Sequence, residues 1–178
     1  MDNTILALDL ARRFGWAEGR PGETPRFGSD KFAGDGASQE EQFAGAVKWL
    51  GTRLLAFKPR IIVYEEPELF RLRSGKATKA TIEVLFGLPA VIQGVAYRMG
   101  VTTIRKAMAN DVRGYFIGTR RLKRAEAKIA TVRACKALGW DVRNDDEGDA
   151  CAIWAYMAAV IEPGLRREPP LNFDKERS

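Results

Sequence analysis

Acidic residues crowd the start of the last strongly apolar segment of the chain. Residues 144–161 read NDDEGDACAIWAYMAAVI, with four acids between Asp145 and Asp149. Carboxylates stabilise a helix N-terminus because they accept hydrogen bonds from its free N–H groups and meet the positive end of its dipole. Asn144 or Asp145 is a suitable cap on that ground. One or two acids are therefore expected here without any further function.

Capping does not account for Asp149. The apolar residues of the segment recur three or four positions apart, which predicts a helix with one buried face (Ala150, Ile153, Met157 and Val160). Asp149 adjoins that face, and Asp146 lies one turn earlier on the same side. Two like charges at the edge of a core repel each other and lose hydration, so they persist most readily with a cation between them. A metal site and a charge-rich helix start are the two interpretations.

Acids also end two of the predicted strands. Asp9 stands in ILALDLARRFGWA, and Glu65 and Glu66 stand in IIVYEEP, each after a short apolar run. Taken singly, Asp9 could cap the next turn and Glu66 could be solvated. The ends of adjacent strands lie side by side, however, and sites tend to form there. Because alternate side chains point to opposite faces, only one of Glu65 and Glu66 can face Asp9. We expect one groove to hold that glutamate with Asp9, Asp146 and Asp149.

The residue types restrict the chemistry of such a groove. The chain contains no histidine, which excludes Ser–His and Cys–His nucleophiles and any histidine-ligated zinc site. Oxygen-only ligands suit Mg²⁺ or Mn²⁺, and two such ions can promote phosphodiester hydrolysis. Cys135 and Cys151, the only two cysteines, lack metal-ligand spacing, so we expect ordinary semi-buried thiols and no disulfide.

The net charge of +6 is unevenly distributed. Between Arg105 and Lys136, ten basic residues are opposed by two acids, a local charge of +8. A solvated basic helix face is one interpretation. An excess this large is more typical of a surface that binds a polyanion. Nucleic acid is therefore the leading partner.

Length and composition predict a single globular domain. The 178 residues are 46% hydrophobic, enough for a sizeable core. No apolar run suggests a membrane span, and the start MDNTILALDL lacks the basic region of a secretory signal, so we expect a cytoplasmic protein with no membrane partner. Residues 1–162 form the predicted domain, and 163–178 form a charged, proline-rich tail.

The chemistry-bearing residues must be positioned by alternating strands and helices. The runs TILALDL, FGWAEG and RFGSDKFAG predict a three-stranded antiparallel meander. Helical spacing over 39–57 is followed by the apolar strand in KPRIIVYEEP and an apolar helix over 81–99, which could break near Gly87-Leu88-Pro89. VTTIRKA predicts a fifth strand, and 109–117, 124–138 and the closing segment predict helices. This order predicts an α/β fold with a mixed sheet whose last strands are parallel and flanked by helices.

Three motifs together resemble RuvC, the Holliday-junction resolvase family of the RNase H-like superfamily. They are the Asp that ends the first strand, the Glu that ends the fourth after KPRIIVY, and DEGDACAI at the head of the last helix. The resemblance covers residues 4–161, and its most specific part is the D-x-x-D-A-x-A pattern of Asp146–Ala152. It implies a five-stranded mixed sheet flanked by helices. It also implies a homodimer that cuts four-way DNA junctions with two Mg²⁺ ions per site, with Mn²⁺ able to substitute and no small-molecule cofactor.

The resemblance assigns roles to particular residues. Asp9, Glu65, Asp146 and Asp149 match the metal-binding catalytic acids, with Glu65 favoured over Glu66. Lys123, in the loop GTRRLKR, resembles the active-site lysine. Two departures mark the chain as similar to a divergent phage or mobile-element type. Leu10-Ala11 follows Asp9 where the cellular resolvases have Pro-Gly, and the expected aromatic wedge is displaced, with Phe70 as its nearest candidate.

These departures leave other substrates and roles open. A related nuclease that cuts flap, single-stranded or RNA–DNA hybrid substrates is one alternative, and a non-catalytic DNA-binding protein is another. Phe70 could stack on an unpaired base or anchor its own loop in the core. The apolar helix over 81–99 could form a dimer interface or be buried centrally. The expected phosphate contacts lie in two basic clusters (Arg71, Arg73, Lys76 and Lys79; Arg120, Arg121, Lys123 and Arg124).

Overall fold

The computed structural model describes residues 3–67 and 78–165, and five strands in them form one mixed sheet. The sheet order is β3-β2-β1-β4-β5. β1 pairs antiparallel with β2, which pairs antiparallel with β3, whereas β1 with β4 and β4 with β5 are parallel. The expected fold class is confirmed. The strands are β1 Ile5–Asp9, β2 Arg13–Gly19, β3 Arg26–Lys31, β4 Ile61–Glu65 and β5 Thr103–Ala107.

Helices cover both faces of the sheet. One face carries α1 (Gln39–Ala56) and α2 (Lys79–Arg98), and the other carries α3 (Ala109–Phe116), α4 (Arg124–Ala137) and α5 (Asp145–Ile161). Ser38 begins α1 with a capping box, because its hydroxyl accepts from the backbone N–H of Glu41 while the Glu41 carboxylate accepts from the N–H of Ser38. A short 3-10 helix, Pro163–Leu165, follows α5. The remainder of the predicted tail, 166–178, lies outside the described residues.

Alternation along the two central strands sorts their side chains between these layers. On β1, Ile5 and Ala7 join the core under α5, whereas Leu6 and Leu8 join the core under α1 and α2. On β4 the same alternation places Ile61 and Val63 under α5 and Ile62 and Tyr64 under α1 and α2. Both strands are therefore buried on both faces, which explains their nearly uninterrupted apolar sequences.

Helix α5 lies against the centre of the sheet. It contacts β1, β2 and β3 and also packs on α3 and α4. Small side chains on its buried surface, Ala150, Cys151 and Ala152, allow this close approach. Its first turn comes closest at Gly15 of β2, where a Cβ would lie 1.8 Å from the carbonyl oxygen of Asp146. A glycine is required at this point for the head of α5 to reach the sheet.

Helix α2 differs from the expectation in two ways. It does not break at Gly87-Leu88-Pro89 but runs through Pro89 without interruption. Gly87 serves close packing instead, since a Cβ there would lie 2.2 Å from the ring of Phe43 on α1.

The second difference concerns hydrophobicity. By length and composition alone, α2 is apolar enough to cross a membrane, with 28% of that stretch buried. Core helices pass the same test, and α2 contributes Val84, Leu88, Ile92 and Ala96 to the interior.

Both cysteines are buried and free. Cys135 on α4 and Cys151 on α5 lie in the core between the two helices, more deeply than expected. Burial raises the pKa of the Cys151 thiol well above its usual range. These thiols therefore behave as small apolar core residues.

Candidate active site

Two acids meet where the parallel central strands end. Asp9 is the last residue of β1 and Glu65 is the last residue of β4, one position beyond the paired residues Leu8 and Tyr64. By the alternation described above, both acids continue the rows of side chains that face α5. Glu66 falls on the other row and hydrogen-bonds Lys106 of β5 at 3.3 Å. Of the two glutamates, Glu65 is the one on the Asp9 side.

The head of α5 brings two further acids to the same place. Asn144 caps the helix, because its side-chain oxygen accepts from the backbone N–H of Glu147 at 3.0 Å. Capping therefore does not require Asp146 or Asp149, and both line the cleft that contains Asp9 and Glu65. The structure thus brings the four acids singled out in the sequence into one cleft of about 540 Å³.

The acids perturb one another electrostatically. Burial, together with the charges of Asp149 and Glu65, raises the pKa of Asp9 well above its usual value. Burial also raises the pKa of Asp149 to about 7, with Lys128 opposing and Glu65 reinforcing the shift. The pKa of Asp146 is raised as well, by burial and by the charge of Asp145. The cleft therefore concentrates negative charge that is only partly hydrated, as expected of a cation-binding site.

Two side-chain cations already contact this cluster. Arg13, at the start of β2, places Nε 3.0 Å from Oδ2 of Asp146. Lys128 on α4 hydrogen-bonds Asp145 and lies 3.9 Å from Oδ2 of Asp149. Burial alone would lower the pKa of Lys128, but the hydrogen bond to Asp145 and the charge of Asp149 raise it, so the ammonium form is stabilised. A positively charged side chain of the protein thus contacts the acid cluster on each side.

The lysine beside the acids is not the one expected. Lys123 immediately precedes α4, is exposed, and is not among the residues that line the cleft. Lys128 lies one turn into the same helix and lines the cleft. Because α4 begins at Arg124, Lys123 precedes the helix and is exposed to solvent, whereas Lys128 lies on the side of the helix that faces α5. Neither Lys128 nor Arg13 was predicted from the sequence to lie beside the acids.

Arginines complete the lining of the cleft. Arg12, Arg13, Arg113 and Arg124 surround the acids, and apolar side chains such as Val112 and Phe116 form the deeper wall. Of these four, only Arg124 was singled out in the sequence. Arg12 and Arg13 closely follow Asp9 in sequence, in the turn before β2 and at its first residue, whereas Arg113 lies on α3, far from Asp9 and Glu65 in sequence. Their positions depend on the tertiary fold.

The remaining expected DNA contacts lie outside the cleft or outside the described residues. Arg120 binds Asp111 at 2.9 Å and packs over Gly114, and Arg121 is exposed beside it. Lys79 begins α2 and lies 3.6 Å from Glu83. Phe70, Arg71, Arg73 and Lys76 fall in 68–77, which the structure does not describe.

The oxygen atoms of the acid cluster are suitable ligands for a divalent metal ion, but no three of its acids lie close enough together to share one ion. Its donors are carboxylate oxygens, which Mg²⁺ and Mn²⁺ prefer, and their raised pKa values indicate repulsion that a cation would relieve. Within 3–67 and 78–165, no three acidic or thiol side chains stand close enough to ligate one ion. Arg13 and Lys128 draw Asp146 and Asp149 towards the edges of the cluster. Ligation of one ion by several of these acids requires their side chains to turn inward.

Comparison with known proteins identifies the fold. No family model matches the sequence, and no curated protein is significantly similar to it. Among solved structures, Thermus thermophilus RuvC superposes with a TM-score of 0.66 at 16% identity, covering 92% of this chain and 98% of that one. RuvC from T. thermophilus in complex with a Holliday junction substrate gives 0.70 at 15% identity, with the same coverage. The yeast mitochondrial Holliday junction resolvase Ydc2 gives 0.63 at 13% identity, covering 91% and 81%. The fold of this chain is that of RuvC, as its three acidic motifs predicted.

Proposed function

We propose that this chain is a metal-dependent endonuclease that cuts branched DNA, with the four-way junction as its main substrate. The observation that carries the proposal is the convergence of Asp9, Glu65, Asp146 and Asp149 in one cleft of a RuvC fold. The acids come from two strands and a helix, and the raised pKa values of Asp9, Asp146 and Asp149 mean that these carboxylates are less stable there than in water unless a cation compensates. Basic side chains of the same cleft suit a phosphate backbone.

The acids are proposed to hold two divalent ions, Mg²⁺ in the cell and Mn²⁺ as a substitute. Ions bound there supply the Lewis acidity and the charge compensation that phosphodiester hydrolysis needs. The chain itself fixes the acids on β1, β4 and α5. Lys128 adds a positive charge beside Asp149, where it can stabilise negative charge on a reacting phosphate. No histidine is available as a general base.

The arginines of the cleft are proposed to bind the DNA backbone. Arg12, Arg113 and Arg124 line the walls around the acids, and guanidinium groups bind phosphates without reading the sequence. Arg120, Arg121 and Lys123 extend the positive surface beyond the α4 end of the cleft. Affinity for DNA should fall steeply as salt rises, because each phosphate contact releases counterions.

Two of the solved structures support a junction as the substrate. One contains RuvC with a Holliday junction substrate and another is a Holliday junction resolvase. One sequence feature favours a second candidate, a nuclease for flap, single-stranded or RNA–DNA hybrid substrates. Leu10-Ala11 replaces the Pro-Gly that follows the first Asp in cellular resolvases, and Leu10 and Ala11 both line the cleft. The shape of the cleft near Asp9 therefore differs in a way that could alter substrate choice.

The protein is proposed to act as a homodimer that pairs through α1 and α2, in the cytoplasm. A groove of about 520 Å³ between these helices is lined mostly by apolar residues and glycine (Val47, Gly51, Val91, Gly94, Val95, Arg98 and Met99). A Cβ at Gly94 would meet nothing within 4 Å. Glycine inside a helix costs about 1 kcal/mol relative to alanine, and packing within the chain does not require it. A second copy that approaches closely accounts for both the glycine and the exposed apolar surface.

Cleavage of labelled synthetic substrates tests the proposal. A four-way junction would be compared with matched duplex, flap and RNA–DNA hybrid, each with and without Mg²⁺. Asp146→Asn removes one proposed ligand and should reduce junction cleavage at least a hundredfold while junction binding in EDTA persists, consistent with the magnitude of electrostatic terms in catalysis. Asp141→Asn, an exposed acid just before α5, is the matched control and should cut normally.

The pattern of products distinguishes the candidates. Paired, Mg²⁺-dependent nicks across the junction, absent in Asp146→Asn, support a resolvase. Cleavage of flap or hybrid alone supports the second candidate with the same site. Tight junction binding without cleavage of any substrate, unchanged in Asp146→Asn, would indicate a non-catalytic DNA-binding protein.

A further inference from the structure

A fully buried carboxylate lies between two of the proposed ligands in sequence. Glu147 has no exposed surface, although it occupies the first turn of α5. The helix does not need it as a cap, because Asn144 has that role. Burial of a carboxylate is unfavourable unless hydrogen bonds and an opposite charge compensate it. Such a group requires an explanation that capping and the proposed chemistry do not provide.

The carboxylate of Glu147 is compensated on both oxygens. The backbone N–H of Arg143 donates to Oε2 at 2.8 Å. The guanidinium of Arg143 donates to Oε1 through Nη2 at 2.6 Å and Nε at 3.1 Å. The hydroxyl of Ser29 on β3 donates to the same oxygen at 3.3 Å. Glu147 therefore joins the loop before α5 to the edge strand of the sheet.

The other contacts of the helix head converge on the same cross-strand pair. Ser29 pairs with Gly15 of β2 in the sheet. The side-chain amide of Asn144 donates to the Ser29 hydroxyl at 2.9 Å, and the carbonyl of Asp146 lies over Gly15. Gly15 therefore leaves room for the backbone of α5, and Ser29 binds the side chains of Asn144 and Glu147. Together they fix the depth and the rotation of the first turn of α5.

Rotation of this turn determines where Asp146 and Asp149 point. In an α-helix, position 147 is directed about 130° away from the bisector of positions 146 and 149. Glu147 is tied to β3 on one side of the helix, so Asp146 and Asp149 face the cleft on the other. We propose that Glu147 is a positioning residue, whose buried bonds to Arg143 and Ser29 orient Asp146 and Asp149 for cation binding. The cation belongs to the proposed function, on which this inference rests.

A second buried glutamate provides a matched control. Glu18 on β2 is 1% exposed and binds Arg53 at 2.8 Å, so its neutralisation also damages a buried ion pair. It lines a different pocket, with Gly19 and Lys58, and not the acidic cleft. Glu147→Gln and Glu18→Gln should both lower thermal stability. Only Glu147→Gln should alter the head of α5.

Two measurements on the DNA-free protein test the proposal. Calorimetric titration with Mn²⁺ should show affinity 10- to 100-fold weaker in Glu147→Gln, the usual loss when a residue that orients a metal ligand is removed. Amide hydrogen exchange should become faster over residues 144–150 in this variant. Glu18→Gln should leave both the Mn²⁺ affinity and this exchange as in the wild type. Ser29→Ala, which removes only a hydroxyl, should shift both measurements in the same direction as Glu147→Gln and supplies the test if that variant does not fold.

The two measurements separate this inference from the proposed function. Unchanged exchange over 144–150 in Glu147→Gln or Ser29→Ala overturns the positioning role, whatever the metal does. The positioning role is also overturned if Glu147→Gln lowers thermal stability as much as Glu18→Gln does but binds Mn²⁺ with the affinity of the wild type. A wild-type protein that binds no Mn²⁺, but whose exchange still responds to Glu147→Gln alone, contradicts the metal-dependent function and leaves the orientation of α5 by Glu147 standing.

Discussion

Individual charges in the cleft are balanced by neighbouring side chains. Lys128 contacts Asp145 and Asp149, and Arg13 contacts Asp146, so the acids are stabilised even without metal. The compensation is incomplete, because the pKa of Asp149 is still raised to about 7, and burial and neighbouring acids hold the pKa of Asp9 well above its usual value. Removal of one internal cation should therefore increase the repulsion that divalent metal relieves.

Lys128→Gln tests this balance. In EDTA we expect the free energy of unfolding to fall by about 1 kcal/mol, the upper range for partly exposed ion pairs. In millimolar Mg²⁺ the difference from the wild type should shrink, because an ion that binds only the folded state stabilises it by mass action. Thermal unfolding in both buffers measures the two differences.

Lys136→Gln is the control for Lys128→Gln. Lys136 lies on the same helix, is exposed, and is not among the residues of the cleft. Its substitution should cost little in either buffer. An equal loss of stability for Lys128→Gln in EDTA and in Mg²⁺ would show that Lys128 and the cation do not compensate the same charges.

The choice between Lys123 and Lys128 shows where residue-level prediction ends. The acids could be found from sequence because each stands at the start or the end of an apolar segment, where a charge is conspicuous. Both lysines lie in the stretch from Arg105 to Lys136, which contains ten basic residues, so the sequence does not distinguish them. Which lysine faces the acids depends on where α4 begins and on how α4 rotates against α5. Glu65 could be separated from Glu66 by simple alternation, since Ile61 and Val63 on the same row are buried under α5.

At the scale of elements, the site depends on how closely α5 approaches β2. The carbonyl of Asp146 would be 1.8 Å from a Cβ at position 15. Gly15→Ala should therefore push the head of α5 away from the sheet. Overpacking of this kind costs about 3 kcal/mol, and the contact here is with backbone, which cannot rotate away. Chemical denaturation should show the loss of stability, and calorimetry should show weaker Mn²⁺ binding by the folded variant.

Gly34→Ala is the matched substitution for Gly15→Ala. A Cβ at position 34 would meet nothing within 4 Å, so its stability should change by less than about 0.5 kcal/mol. If Gly15→Ala were equally harmless, the close approach of α5 to β2 would not be what positions Asp146.

The order of elements could be predicted from sequence, whereas their close contacts could not. Periodicity distinguishes strands from helices, so all five strands and the helical segments were found. The possible break in α2, suggested because Gly87 and Pro89 favour turns by residue type, does not occur. In the structure Gly87 is required by the ring of Phe43, which comes from a different helix. The role of Gly15 likewise depends on a contact with a residue distant in sequence, Asp146, so the residues around Gly15 do not indicate it.

At the scale of the whole molecule, the two faces of the sheet have different outer surfaces. The acidic cleft and its arginines lie mainly on the α3–α4–α5 side, and the first half of α2, from Thr81 to Pro89, borders the cleft. The α1–α2 side exposes large apolar residues, including Leu55 at 75% and Tyr97 at 72%. Val47 and Met99, which line the groove, are exposed as well, and clustered apolar surface is typical of an interaction site. The groove uses the second half of α2, from Val91 to Arg98, so a dimer that pairs there would leave both clefts open, as cleavage of two junction strands requires.

Gly94→Leu tests this arrangement of the dimer. The position has open space around it within one chain, so the leucine should fit the folded monomer and improve helix propensity by several tenths of a kcal/mol. In the proposed dimer the same side chain occupies the space of the partner, and overpacking should shift the equilibrium to monomer. Light scattering after gel filtration should give the dimer mass for the wild type and a concentration-dependent decrease for Gly94→Leu, without loss of thermal stability at high dilution. Ala125→Leu, exposed on α4, should remain dimeric. A wild type that is monomeric at all concentrations, or a Gly94→Leu variant that remains fully dimeric, would contradict pairing through this groove.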